Sequence, residues 1–357
     1  SMFMKFKRTS YLTRLAALSV AAATLMVPLG TVPAAFAKND NETKKDGNAL
    51  VSKILDSSLK ANSEIKSIED LRHVNPTLAK AFEHYSKKDQ FNKNSNAQVT
   101  VVVTLKNNHP KLTNYDEKAN IHEQNVLINR VKSKYNMTVR RQVGYLMSAF
   151  EATLPEKHVQ DLKREPGVVS VAKERLYHPM ENTARNLQGV QAAFKKYHLD
   201  GTGMLVSIID TGIDPTHQDM KLDASAKTHL RLQPTGKGNT TDKVPAGFNY
   251  ADENTNFTDS GAEQHGMHVA GIVAANGDET GAPASEHNRV DGIAPNAQLL
   301  AMKVFSNVPG SHGARDVDIV AAIEDSVKLG ADVINMSLGS DNGFGGTSNA
   351  TSLALKK

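Results

Sequence analysis

The sequence beginning at residue 205 reads Leu205-Val206-Ser207-Ile208-Ile209-Asp210-Thr211-Gly212, an apolar run that ends in an acid. This pattern is typical of a buried β-strand followed by a tight turn. A second cluster begins 55 residues after Asp210 and reads His265-Gly266-Met267-His268-Val269-Ala270-Gly271, which predicts a helix of small residues. An acid that closes a strand and a histidine that opens a helix can meet as an orienting acid and a general base. We therefore predict that Asp210 and His265 are two members of a catalytic triad.

Two further stretches extend the pattern. They read Val290-Asp291-Gly292-Ile293-Ala294-Pro295, with Ala301-Met302-Lys303-Val304 after it, and Asp332-Val333-Ile334-Asn335-Met336-Ser337-Leu338-Gly339. Together with an acid that precedes the histidine, as in subtilisin, they resemble the subtilisin-like (S8) serine proteases. The His-Gly-Met-His cluster, with Met267 where most members have Thr, is similar to the lactocepin and C5a-peptidase branch of Gram-positive cell-envelope proteinases.

The resemblance implies a secreted serine endopeptidase that cleaves peptide bonds with an Asp, His and Ser triad and needs no cofactor for the chemistry. It implies that the main chain of Ser337, Leu338 and Gly339 contacts protein or peptide substrates, which bind as an added strand. Calcium is common in the family, and Asp219 stands where one ligand would fall. A structural calcium ion is therefore an expectation, although the loop 276–289 is longer than usual and differently composed.

The nucleophile is the member of the triad that the sequence does not supply at the family's position. In the family, the serine lies in a Gly-Thr-Ser segment at the head of a central helix, much further along the chain than the histidine. Gly346-Thr347-Ser348 has these three residues, but it follows Gly339 so closely that the resemblance predicts a surface loop there. We expect the sequence to be the front part of a longer protease, without the nucleophile and the oxyanion Asn, and inactive alone.

The first 37 residues have the pattern of a secretory signal peptide. Four basic residues precede an apolar stretch at 15–29, and the small-residue site Ala35-Phe36-Ala37 follows. These four residues account for the net charge of +4, so the remaining chain is near neutral and no nucleic-acid partner is expected. The absence of cysteine excludes disulfides and thiol catalysis. We predict a secreted protein with no membrane segment after signal cleavage, and association with a Gram-positive cell wall is what the family resemblance implies.

A polar prosegment is predicted at 38–96 and a small α+β domain at 97–178. Alternating and apolar runs predict strands at 99–105, 138–143, 149–154 and 168–173, with helices at 116–135 and 156–164. The order β-α-β-β-α-β is that of a ferredoxin-like domain. Upstream of a subtilisin-like region, such a domain resembles the family's inhibitor-like propeptide, an intramolecular partner that occupies the cleft.

The first part of a subtilisin-like catalytic domain is predicted at 186–357. Near-continuous apolar strands at 298–305 and 333–337 alternate with helices at 188–197 and 316–329. This pattern predicts an α/β fold with a parallel sheet covered by helices on both faces. Between Tyr177 and Arg185 the chain is polar, and an exposed extended segment containing the processing site is expected.

Two alternatives remain open from the sequence. The chain could be a non-catalytic inhibitor or folding helper that acts on a protease in trans. His265 and His268 could also be a metal pair, because residues three apart share a helix face. However, no His-Glu-x-x-His motif occurs, and the resemblance makes His265 the base and His268 a packed histidine.

Overall fold

The structure is a computed structural model that describes residues 90–179, 200–259, 264–277, 291–311 and 313–340, together with the backbone of a two-residue strand, β1 (Val27–Pro28). The predicted signal peptide apart from β1, most of the polar prosegment, the helix predicted at 188–197 and Ser348 lie outside these residues. The described chain forms two compact units, one at 90–175 and one that contains β1, residues 176–179 and residues 200–340.

The first unit is the predicted ferredoxin-like domain. Its strands form an antiparallel sheet in the order β3-β4-β2-β5, which confirms the predicted topology. Alternate residues of β2 are buried against the apolar side of α1, as the pattern predicts for a sheet covered on one face. The elements are β2 (Gln98–Leu105), α1 (Asn114–Val131), β3 (Thr138–Val143), β4 (Ser148–Pro155), a 3-10 turn (Glu156–His158), α2 (Val159–Lys163) and β5 (Val168–Lys173).

The second unit is built on a parallel sheet, as predicted for this α/β fold. Four parallel strands lie in the order β11-β7-β9-β8, and β1 pairs antiparallel with the edge strand β11. The strands are β7 (Leu205–Asp210), β8 (Ala246–Asn249), β9 (Gln298–Lys303) and β11 (Val333–Met336). The helices are α3 (Ala224–Lys227), α4 (His265–Ala274) and α5 (Asp316–Lys328).

Strand β7 lies inside the sheet, and all six of its residues are buried. Val206 and Ile208 belong to the apolar cluster that α4 completes. Ser207 points the other way, and its hydroxyl lies 2.7 Å from the hydroxyl of Ser326 on α5. Because successive side chains of a strand alternate between faces, α4 and α5 cover opposite faces of the sheet, which explains the unbroken apolar run of β7.

A small antiparallel sheet accompanies the parallel one. Strand β6 (Leu176–Pro179) lies between β10 (Ala314–Arg315) and β12 (Leu338–Ser340). Tyr177 is only 3% exposed, so the prediction of an exposed segment beginning at this residue is wrong at its first residues. The segment is extended, as expected, but it is paired on both sides, because β10 and β12 each present an edge that takes up its backbone groups.

Within the described parts of the chain, no helix is both long enough and apolar enough to cross a membrane.

Candidate active site

Asp210 and His265 lie in direct contact. Asp210 is the last residue of β7 and is fully buried, whereas His265 is the first residue of α4 and its side chain is 16% exposed. The Nδ1 atom of His265 lies 2.8 Å from one carboxylate oxygen of Asp210 and 2.9 Å from the other. A proton on Nδ1 satisfies the carboxylate and leaves Nε2 as the basic nitrogen of the neutral ring.

Two opposing effects act on the acid. Burial raises the pKa of Asp210 above its ordinary value, and the nearby charge of Asp259 acts in the same direction. Hydrogen bonds from His265 and from the N–H of Thr211, at 2.7 Å, favour the charged carboxylate and lower that pKa. The carboxylate is thus held by its two donors in a site from which water is excluded.

The start of α4 approaches the turn after β7 very closely. A Cβ atom added to Gly266 would lie 2.3 Å from the carbonyl oxygen of Gly212, which is closer than real Cβ atoms come. Gly212 itself has a φ of 117°, a region that favours glycine. These two glycines therefore allow the helix that carries His265 to reach the strand that carries Asp210.

The three residues predicted to contact substrate lie just after β11 and in β12. The Ser337 hydroxyl donates to the side chain of Asn335 at 2.9 Å, and Ser337 is buried, so its side chain faces the protein. Leu338 and Gly339 pair with Pro179 and His178 of β6. At this position the chain offers backbone groups to an extended peptide, and β6 is the peptide that they hold.

Strand β10 is a part of this site that the sequence analysis missed. Ala314 and Arg315 pair with Tyr177 and Leu176 on the side of β6 opposite to β12. A Cβ atom on Gly313 would meet the carbonyl oxygen of Tyr177 at 3.1 Å, so the loop before α5 lies against the peptide. The one sequence signal was Gly313, three residues before the helix, and glycine there permits close approach of another backbone.

Asp219 is buried, and it takes no part in the hydrogen bonds of the Asp210 carboxylate described above. Its carbonyl oxygen accepts from the N–H of Asn276 at 2.8 Å, and its N–H donates to the ring of His217 at 3.1 Å. No group of three or more His, Cys, Asp or Glu side chains that could hold a metal ion occurs in the described part of the chain. Because calcium can also be held by backbone and amide oxygens, the structural calcium ion and the ligand role of Asp219 stay predictions.

His268 is exposed on α4, so the expectation that it packs as a second histidine is wrong. It lies one turn after His265, where the helix turns its side chain to solvent. Met267, between the two, is half-buried, and its sulfur accepts a hydrogen bond from the N–H of Asp214 at 2.9 Å.

Two parts of the chain match known protein families. Residues 201–357 match the Peptidase S8 model, described as the subtilase family, and residues 100–180 match the peptidase inhibitor I9 model. The PII-type proteinase of Lacticaseibacillus paracasei is 44% identical over 222 residues, which cover 60% of this chain and 12% of that protein. Subtilisin E of Bacillus subtilis (strain 168) is 30% identical over 207 residues, or 57% of this chain and 45% of that protein.

The chain thus spans a small part of the PII-type proteinase and less than half of subtilisin E. A crystal structure of the epidermin leader peptide processing serine protease from Staphylococcus aureus covers 68% of this chain and 50% of that chain. The sequence identity is 17% and the TM-score is 0.41, so this similarity is distant. The two family matches confirm the resemblance and the fold class. Residues 201–357 therefore belong to the subtilase family of serine endopeptidases, and residues 100–180 form a peptidase inhibitor I9 domain ahead of them.

Proposed function

We propose that this protein acts as a secreted serine endopeptidase in which Asp210 orients His265 and His265 is the general base. The observation that carries the proposal is the contact of Nδ1 of His265 with both carboxylate oxygens of Asp210, at 2.8 and 2.9 Å. This contact fixes the ring and its tautomer, so that Nε2 can take the proton of a serine hydroxyl. Secretion is supported by the signal-peptide pattern of residues 1–37.

The reaction is acyl transfer to a serine. The hydroxyl attacks a peptide carbonyl while Nε2 of His265 accepts its proton, and the same nitrogen then gives the proton to the leaving amine. Asp210 stays ionised and stabilises the charged imidazole that forms between these two steps. Water then repeats the sequence on the acyl enzyme and releases the acid product.

Peptide substrates would bind as a strand between β10 and β12, in contact with the main chain of Ser337, Leu338 and Gly339. The support is that β6 already pairs with both strands through its backbone. Backbone pairing gives affinity for many sequences, and the pockets for alternate side chains give preference. Strand β6 must leave before a substrate can bind, so the segment acts as an intramolecular inhibitor.

The direction of β6 supports processing just after it. Leu338 pairs with Pro179, and the chain before Leu338 leads back through Ser337 to Met336, which pairs with Ile209 next to Asp210. Because β6 runs antiparallel to β12, Pro179 is the residue of β6 that lies nearest to the strand ends that carry the acid. Cleavage within residues 180–185, which lie outside the described residues, would release the inhibitor domain.

A chimera tests the proposed function. Residues 1–340 would be joined to the corresponding remainder of the L. paracasei PII-type proteinase, which shares 44% identity with this chain over 222 residues. We expect the chimera to hydrolyse casein, since its acid, base and substrate strands come from this chain and the serine from its relative. A folded chimera without activity, beside an active parent proteinase, would contradict the proposal.

The 357-residue chain alone tests the assignment of the nucleophile. We expect no casein hydrolysis from it, because Ser348 follows Gly339 too closely to occupy the family's serine position. The Ser348→Ala variant is the matched control and should be indistinguishable from the parent chain. Hydrolysis that this substitution abolishes would show that Ser348 is the nucleophile and that the serine needs no further segment.

A further inference from the structure

Asp259 is an acid close to the catalytic pair that the reaction does not use. It is 5% exposed and lies in the chain leading to α4. One oxygen of its carboxylate, Oδ2, accepts from the hydroxyl of Thr211 at 2.7 Å and from the N–H of Met267 at 3.3 Å. These two donors belong to the strand end that carries Asp210 and to the helix that carries His265.

Thr211 connects the two sides a second time. Its hydroxyl, which donates to Asp259, also accepts from the N–H of Gly266 at 2.7 Å. Its own N–H donates to Oδ1 of Asp210 at 2.7 Å. The Thr211 hydroxyl has one hydrogen to donate, and it donates this hydrogen to Asp259. The lone pairs of the hydroxyl oxygen are therefore available to accept from Gly266. The acceptor at Asp259 therefore decides which way the Thr211 hydroxyl points.

Lys303 supplies a compensating charge. It closes β9 opposite Asp210 in the sheet register, and its Nζ donates to the carbonyl oxygen of Thr211. Burial lowers the pKa of Lys303, and the charges of Asp259, Asp252 and Asp210 raise it again. Lys303 thus holds Thr211 through its carbonyl oxygen, while Asp259 holds the same residue through its hydroxyl.

We propose that Asp259 is a positioning residue, which fixes the Asp210 strand end and the start of α4 relative to each other through Thr211 and Met267. It touches neither substrate nor the reacting atoms. The inference rests on the proposed roles of Asp210 and His265, because it concerns the geometry between them. A small shift of an imidazole from its acid is enough to lower the rate of a triad strongly.

The test uses the 357-residue chain and the Nδ1 proton of His265. In a folded chain labelled with ¹⁵N-histidine, a proton held between Nδ1 and a buried carboxylate resonates far downfield of the backbone amides. The chain has 13 histidines, and loss of the signal in His265→Ala assigns it. We expect Asp259→Ala to abolish this signal and Asp259→Asn, which keeps an oxygen acceptor for Thr211, to retain part of it.

Asp214→Ala is the matched control. Oδ1 of Asp214 accepts from the N–H and the hydroxyl of Thr216, within its own turn, so removing this acid should leave the signal unchanged. Thr211→Ser and Thr211→Val form a second pair, which decides the matter if Asp259→Ala does not fold. Serine keeps the hydroxyl and should keep the signal, whereas valine should lose it.

The outcomes separate the two proposals. A folded parent chain without the downfield proton would contradict the Asp210 and His265 pair, and with it the proposed function. A parent signal that persists unchanged in folded Asp259→Ala, or in Thr211→Val, would overturn the positioning role of Asp259 and leave the pair intact.

Discussion

Replacing His265 by alanine in the casein-hydrolysing chimera is expected to lower kcat by about 10⁶-fold, the loss that follows removal of the triad histidine in subtilisin. The His265 ring contacts the Asp210 carboxylate through Nδ1, at 2.8 Å, which leaves Nε2 for the serine proton. Without it, no base accepts the serine proton and no acid protonates the leaving amine. The measurement is kcat and KM for casein-derived peptides.

His268→Ala is the matched control for this substitution. Both histidines lie on α4 three residues apart, but His268 is exposed. Its removal should leave kcat within about twofold, because surface substitutions away from a site change little. A comparable loss in both variants would mean that the helix, rather than the His265 imidazole, is responsible, and the assignment of the base would be wrong.

Gly266→Ala is expected to destabilise the catalytic unit by about 3 kcal/mol or more. The new Cβ would lie 2.3 Å from the Gly212 carbonyl oxygen and 2.8 Å from the Gly212 nitrogen, both backbone atoms that cannot rotate away. The helix must therefore move off the strand end, which also lengthens the contact between His265 and Asp210. Thermal unfolding of the chain measures the change in stability.

Gly271→Ala provides the comparison within the same helix. Apart from its chain neighbours and the backbone of its own helix, no heavy atom of the described residues lies within 4 Å of a Cβ atom at Gly271, so the alanine fits without displacement. It should stabilise the chain by about 0.5–1 kcal/mol, because alanine restricts the unfolded backbone and favours the helix. Equal effects of the two substitutions would contradict the close approach of α4 to the turn after β7.

The long elements and the catalytic pair could be predicted because their signals are local. The unbroken apolar run of β7 indicates burial on both faces, and the strand has the predicted bounds. An acid at the carboxyl end of a parallel strand and a histidine at a helix start lie at the same edge of such a sheet. The structure places Asp210 and His265 accordingly, although their catalytic roles stay a proposal.

The short strands could not be predicted, because their pairing is non-local. β10 has two residues and β12 has three, too few to show an alternating pattern, and each becomes a strand only through β6. The same limit applies to Asp259, whose hydrogen bond to Thr211 spans 48 residues. The exposed position of His268 was also missed, since a cluster of small residues does not show which side of the helix faces the core.

The Nδ1 proton of His265 tests the central claim most directly, because it reports the bond between the acid and the base in the unmodified chain. The structure predicts a downfield resonance at neutral pH that is present in the parent chain and absent from Asp210→Ala. If the folded parent chain lacks this resonance, or if Asp210→Ala keeps it unchanged, Asp210 does not orient His265 and the catalytic assignment is contradicted.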